Sequence, residues 1–156
     1  MYNGILGIHS LLRWAMIVFL VINIIRVNVE AHEHFDKLDK KWSLRLLIVS
    51  HLSLLSGLYQ YFFGEKGIAL VKTFGMAQVM KTAGLRYWVV EHITSMIIVV
   101  ALVTVSHSFS KKDITPIKKH RTMSILLVIA LLIIFAAAPW PFREVEIARP
   151  LFRTLY

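Results

Sequence analysis

Long apolar runs alternate along the chain with short charged stretches. The apolar runs extend from about Ile5 to Val27, Trp42 to Phe63, Tyr87 to Phe109 and Arg121 to Trp140. A helix needs about 20 mostly apolar residues to cross the hydrocarbon of a bilayer. The pattern therefore predicts an all-α protein, a transmembrane four-helix bundle of up-down-up-down topology forming a single membrane domain over residues 1–156. The first run has no basic segment before it and no small-residue cleavage site after it, so it reads as a span and not as a cleaved signal peptide.

The connection from Gly64 to Gly84 differs from the other two. Its segment IALVKTFGMAQVMK is too short and too polar to span, and its apolar residues gather roughly on one face. It predicts a short helix lying in the membrane interface between spans two and three, with Lys72 and Lys81 towards the head groups. Such a helix covers the bundle; a sharper role is to gate a lipid-soluble ligand.

Composition narrows the class. The chain is 57% hydrophobic and only 17% charged, against about 25% charged residues in a soluble domain. It has no cysteine, which excludes thiol catalysis, iron–sulfur ligation and disulfides. The formal charge of +9 does not point to nucleic acid, because the basic residues sit in short connections between apolar runs. The first and third connections, with their edges, hold Arg26, Lys37, Lys40, Lys41, Arg45, Lys111, Lys112, Lys118, Lys119 and Arg121. The other side holds Lys66, Lys72, Lys81, Arg86, Arg143, Arg149 and Arg153. The bias places the first and third connections in the cytoplasm. The expected location is a bacterial cytoplasmic (inner) membrane, with both termini periplasmic. Trp88 and Trp140 mark the outer interface and Trp42 the inner one.

Ionisable groups within spans are costly and mark function by default. Seven histidines are present. His32 and His34, in AHEHFD, read as a solvated loop. His9 is early in span one and His92 early in span three, so both are expected at similar depth near the outer surface. His51 lies near the middle of span two, and His120 opens span four at the cytoplasmic surface. Imidazoles on facing helices can clamp a haem iron from both sides. The depths suit an outer haem between His9 and His92. An inner haem would lie between His51 and either His120 or His107, although His51 and His120 differ in depth by roughly 13 Å at helical rise. His107, in VSHSFSKK, reads more simply as an interfacial residue among serines and lysines.

Arg13 lies one turn below His9 on the same face. At that depth it needs an anion: Glu91 of span three, or a haem propionate. Ser50, Ser53, Ser56 and Gly57 of span two allow close helix approach. Span four, MSILLVIALLIIFAAA, reads as a lipid-facing or packing helix ended by Pro139 and Pro141.

The segments IHSLLRW, SHLSLLSGLYQYF, RYWVVEH with a trailing VSHS, and KKHRTM through APWPF occur in that order. Together they resemble small four-helix bacterial inner-membrane proteins described as cytochrome b-like. More remotely the chain is similar to the bacterial four-span di-haem cytochrome b that takes electrons from quinol. The resemblance implies one or two b-type haems held non-covalently, with His9, His51, His92 and His120 as axial ligands and quinol or quinone as redox partner. Two departures stand out. No span carries two histidines at the 13- or 14-residue spacing of respiratory cytochrome b, and no C-x-x-C-H is present for covalent haem.

The leading expectation is thus an electron carrier and not a stand-alone enzyme. The alternative is a haem-free accessory or structural subunit of a larger membrane complex or homo-oligomer. A copper-handling role ranks last, because copper(I) prefers sulfur ligands and the six methionines form no M-x-x-M pair. No G-x-S-x-G or H-E-x-x-H is present.

Overall fold

The structure is a computed structural model that describes residues 2–29, 35–144 and 146–150, with side chains from residue 4 onward. Among the described residues all regular structure is helical, without strands. The elements are α1 (Tyr2–Val29), α2 (Lys37–Phe63), α3 (Ile68–Lys81), α4 (Ala83–Arg86), α5 (His92–Lys111) and α6 (Pro116–Ala137). A π-helical stretch, Tyr87–Glu91, joins α4 to α5, so residues 83–111 form one span. Four helices are long and apolar enough to cross a membrane: Gly4–Val29, Lys37–Phe63, Ala83–Lys111 and Pro116–Ala137. They exceed the apolar runs because charged first and last turns, such as Lys37–Lys41, continue the helix into the interface.

Helix α1 packs along α2 and α6, and α5 packs along the same two. Side-chain bonds tie the ends. Asn23 of α1 donates to the Trp42 carbonyl of α2 (3.2 Å). Tyr61 of α2 donates to the Val89 carbonyl (3.2 Å), and Ser124 of α6 donates to the Asn28 side chain (3.1 Å). Between the ends lies a dry plug of Leu20, Leu46, Val99, Val103, Leu127 and Ala130, all buried. Helix α6 contributes much of it, through Met123, Leu127, Ala130, Ile134 and Ala137 on one stripe. Its opposite stripe, with Ile125, Ile129, Leu132 and Phe135, is exposed, so the helix packs with one face and leaves an apolar face outward.

The inner face of α2 is a stripe of Asp39, Ser43, Leu46, Ser50 and Ser53 at spacings of three and four. Small residues there let α1 and α5 approach closely. The stripe begins at a capping box. The Asp39 amide donates to Asp36 Oδ1 (2.8 Å) and the Asp36 amide to Asp39 Oδ2 (3.1 Å). The first of these bonds holds the Asp36 carboxyl below its ordinary carboxylate range. Asp39 also pairs with Arg26 of α1 at 2.8 Å and is itself almost fully buried. It therefore caps α2 and anchors it to α1. Asp39→Ala removes both and leaves Arg26 without this carboxylate, so it should cost about 3 kcal/mol. Denaturation in detergent checks this; a loss of about 0.5 kcal/mol or less, the size of a surface change, would contradict the anchoring role.

Helix α3 lies in the connection where a short helix is expected, but it is broken. Gly75 at its middle has φ 74° and ψ 151°, a conformation that only glycine adopts readily. Val79 is its one buried residue, while Phe74, Met76 and Met80 are exposed. After α6, Pro139 and Pro141 stop the helix, and the chain folds back so that the Arg149 amide reaches the Pro139 carbonyl (3.1 Å).

Candidate functional site

On α1, His9, Arg13 and Met16 follow one another at spacings of four and three and so share a face. All three line a cavity of about 170 Å³ at the end of the bundle where α1 begins. A single water needs roughly 10–15 Å³ of such space, so the cavity is far larger than a packing defect. Helix α2 contributes Ser50, Ser53, Gly57, Gln60 and Tyr61. Residues 88–100 contribute Trp88, His92, Met96 and Val100, and Ile134 and Ala138 follow from the end of α6. Lys66, Gly67, Arg149 and Pro150 complete the lining.

The two histidines are held in the same way. The His9 Nδ1 is 3.2 Å from the Ser53 carbonyl oxygen and 3.0 Å from the Ser56 hydroxyl. The His92 Nδ1 is 3.0 Å from the Ala137 carbonyl oxygen. A carbonyl only accepts, so Nδ1 carries the proton in both rings. The lone pair of each neutral imidazole is then at Nε2, and neither Nε2 makes a hydrogen bond among the described residues. Locking one ring nitrogen on a carbonyl while the other is left to coordinate is how ligating histidines are oriented.

The local sequence explains the acceptors. Ala137 is the last residue of α6, and the prolines after it leave helix-end carbonyls without intrahelical donors. Tyr87 donates to the same Ala137 carbonyl at 2.7 Å, and Arg143 covers Ala136 at 2.7 Å. On α2, Gly57 lets the His9 ring lie against the helix. A Cβ at Gly57 would stand 3.2 Å from His9 Cε1.

Among the described residues no acidic side chain lines the cavity, whereas Arg13, Lys66 and Arg149 do. Two of these cations lie on the Trp88 ring, Lys66 Nζ at 5.8 Å and Arg149 at 4.6 Å from its centroid. The Gln60 side-chain nitrogen is buried without a hydrogen bond. The cavity thus offers two lone-pair imidazole nitrogens within apolar walls, surrounded by cations. That donor set fits a bis-histidine haem, with the imidazoles for iron and the cations for its carboxylates.

Several expectations change. The structure does not bring His51 to the interior: it is exposed on the outer face of α2, its Nδ1 donating to the Leu47 carbonyl (2.8 Å). It follows Ser50 by one residue, about 100° around the helix, and so leaves the inner stripe. The inner pairing of His51 with His120 or His107 therefore does not form. His107 is buried within the bundle against Ser43 (2.9 Å) rather than exposed among its serine and lysine neighbours. His120 is fully buried at the end opposite the cavity. Glu91 is exposed and pairs with Arg86 at 2.7 Å, not with Arg13. Arg13 donates to Ser10 (3.3 Å) and lies over the Trp14 ring. His32 and His34 lie outside the described residues. Sequence reasoning does not single out Tyr87, Gln60, Lys66 or Arg149 as site residues; only the crowding of aromatic and basic residues in RYW hints at this end.

Among the described residues no group of three or more His, Cys, Asp or Glu gathers as a metal cluster. No family model matches the chain, and neither a curated protein nor a solved structure matches it.

Proposed function

We propose that the chain is a multi-pass b-type cytochrome of a bacterial cytoplasmic membrane, holding one haem between His9 and His92. The observation that carries this reading is the shared tautomer of the two histidines, both lining one apolar cavity with Nε2 as the lone-pair atom. When bound there, haem with two imidazole ligands has no open position and serves single-electron exchange. The chain's own residues do the rest. The Ser53 and Ala137 carbonyls fix the rings and raise their basicity. Arg13, Lys66 and Arg149 balance the carboxylates of the bound group. The plug from Leu20 to Ala130 keeps water from reaching the site through the bundle.

The same reading gives the bundle an up-down-up-down course, with residues 30–36 and 112–115 in the cytoplasm and both termini periplasmic. The bonds between opposite helix ends and the basic residues of those connections support it. Helix α3, with Phe74, Met76 and Met80 exposed, then lies in the outer interface beside the cavity, where a quinol dissolved in the bilayer arrives.

Reduction by quinol tests this function. Protein loaded with haem in nanodiscs should be reduced by a soluble quinol within seconds, and His92→Ala protein should show no such low-spin reduced species. Haem that stays oxidised with quinol, yet is reduced by dithionite, would leave a cytochrome and remove the quinol role.

A further inference from the structure

At the end of the bundle opposite the cavity lies a second group of buried polar side chains. His120 is 0% exposed and His107 is 6% exposed. Among the described residues, His107 Nε2, both ring nitrogens of His120 and the Ser106 hydroxyl are buried with no hydrogen-bond partner. A buried polar group left unpaired is costly, so their accumulation in one place points to an occupant. The register of the two helices places both histidines at a similar height. His107 lies one turn before the end of α5 and His120 one turn after the start of α6. Lys119 Nζ reaches the Ser110 carbonyl (3.5 Å) across the same turns. Ser43 orients His107 from α2, and the Phe35 ring lies edge-on to His120 with centroids 5.2 Å apart.

We propose that His107 and His120 form a metal site for a single zinc-class ion, separate from the cavity. The shape of the place selects a bare ion over a second haem. Helices α5 and α6 are chain neighbours packed directly together, and packed helix axes lie about 8–10 Å apart. That spacing leaves room for an ion between two side chains but not for a porphyrin. His9 and His92, in contrast, sit on α1 and α5, which face each other across the cavity. Imidazole nitrogens suit zinc, copper and nickel, whereas magnesium and calcium require oxygen ligands. The adjacent Lys119 charge further disfavours ions bound by charge alone. The Lys119 ammonium is engaged by the Ser110 carbonyl and the Phe35 ring (4.8 Å). With two protein ligands, the remaining positions of a zinc ion would fall to water.

The test uses the full chain without a polyhistidine tag, in detergent, equilibrated with zinc against a chromophoric chelator. Wild type should hold one zinc per chain. His107→Gln and His120→Asn should each weaken binding at least tenfold, while His9→Ala should not. Retention of the same melting temperature by either variant shows that loss of zinc is not loss of fold. Wild type that takes no zinc would overturn the site. So would zinc binding that persists in both variants and disappears only in His32→Gln/His34→Gln. The readout is zinc at the far end of the bundle, so it succeeds or fails independently of haem at His9 and His92.

Discussion

Replacing His92 with alanine should abolish the six-coordinate haem signature and lower haem retention at least tenfold. The expectation follows from the tautomer argument. His92 supplies one of two lone-pair nitrogens, and its ring is fixed by a single strong acceptor, the Ala137 carbonyl. Changes to groups that merely orient a ligand already cost about 10–100-fold in metal affinity, so loss of the ligand itself should cost no less. His9→Ala should behave the same way. His51→Ala should change neither spectrum nor haem content, because that ring faces outward. Haem titration of the three purified variants, read by optical spectrum, distinguishes the pattern. Equal losses in His51→Ala and His92→Ala would contradict it.

The second large effect is expected at Gly57, which has no side chain to coordinate anything itself. Its missing side chain is what allows His9 to lie against α2. A Cβ placed 3.2 Å from His9 Cε1 is closer than ordinary contact, and the neighbour is a ring held by two bonds. Gly57→Ala should therefore shift the ring by a few tenths of an ångström and weaken haem binding slightly. Gly57→Val adds two more methyl groups and should break the Nδ1–Ser53 bond, lowering haem affinity at least tenfold and stability by about 1–3 kcal/mol through overpacking. Parallel haem titration and thermal denaturation check the series. Wild-type affinity in Gly57→Val would mean that His9 is not held as described.

Much of the fold was legible because a bilayer leaves the backbone few choices. Each spanning segment must satisfy its own hydrogen bonds, so an apolar run of about 20 residues is a helix. The facing of those helices was harder to read. A mostly apolar span gives little moment to orient it, and the position of His51 along span two says nothing of which face it is on. The usable signal was polar rather than apolar: Asp39, Ser43, Ser50, Ser53 and Gly57 recur at three- and four-residue spacing and mark the inner face. His51 stands beside that stripe, not in it.

Glu91 shows the same geometry on the third span. It adjoins His92 and so points about 100° away from it, towards Arg86. His107 was read from its serine and lysine neighbours, but burial there is set by Ser43 on another helix. The locks on His9 and His92 were invisible for a further reason. They depend on the register of α1 against α2 and on where α6 stops against α5, and no single segment encodes either. The proline stop at APWPF was visible; that its last free carbonyl would meet His92 was not.

The central claim is that His9 and His92 clamp one haem. The most direct measurement is an optical spectrum of the full chain in mild detergent, oxidised and then reduced with dithionite, with haem quantified per chain after supply of excess haem. The account predicts the sharp reduced bands of a six-coordinate b-type haem at one haem per chain, lost in His9→Ala and His92→Ala. A chain that remains colourless under those conditions, or carries its haem unchanged in both variants, would contradict it.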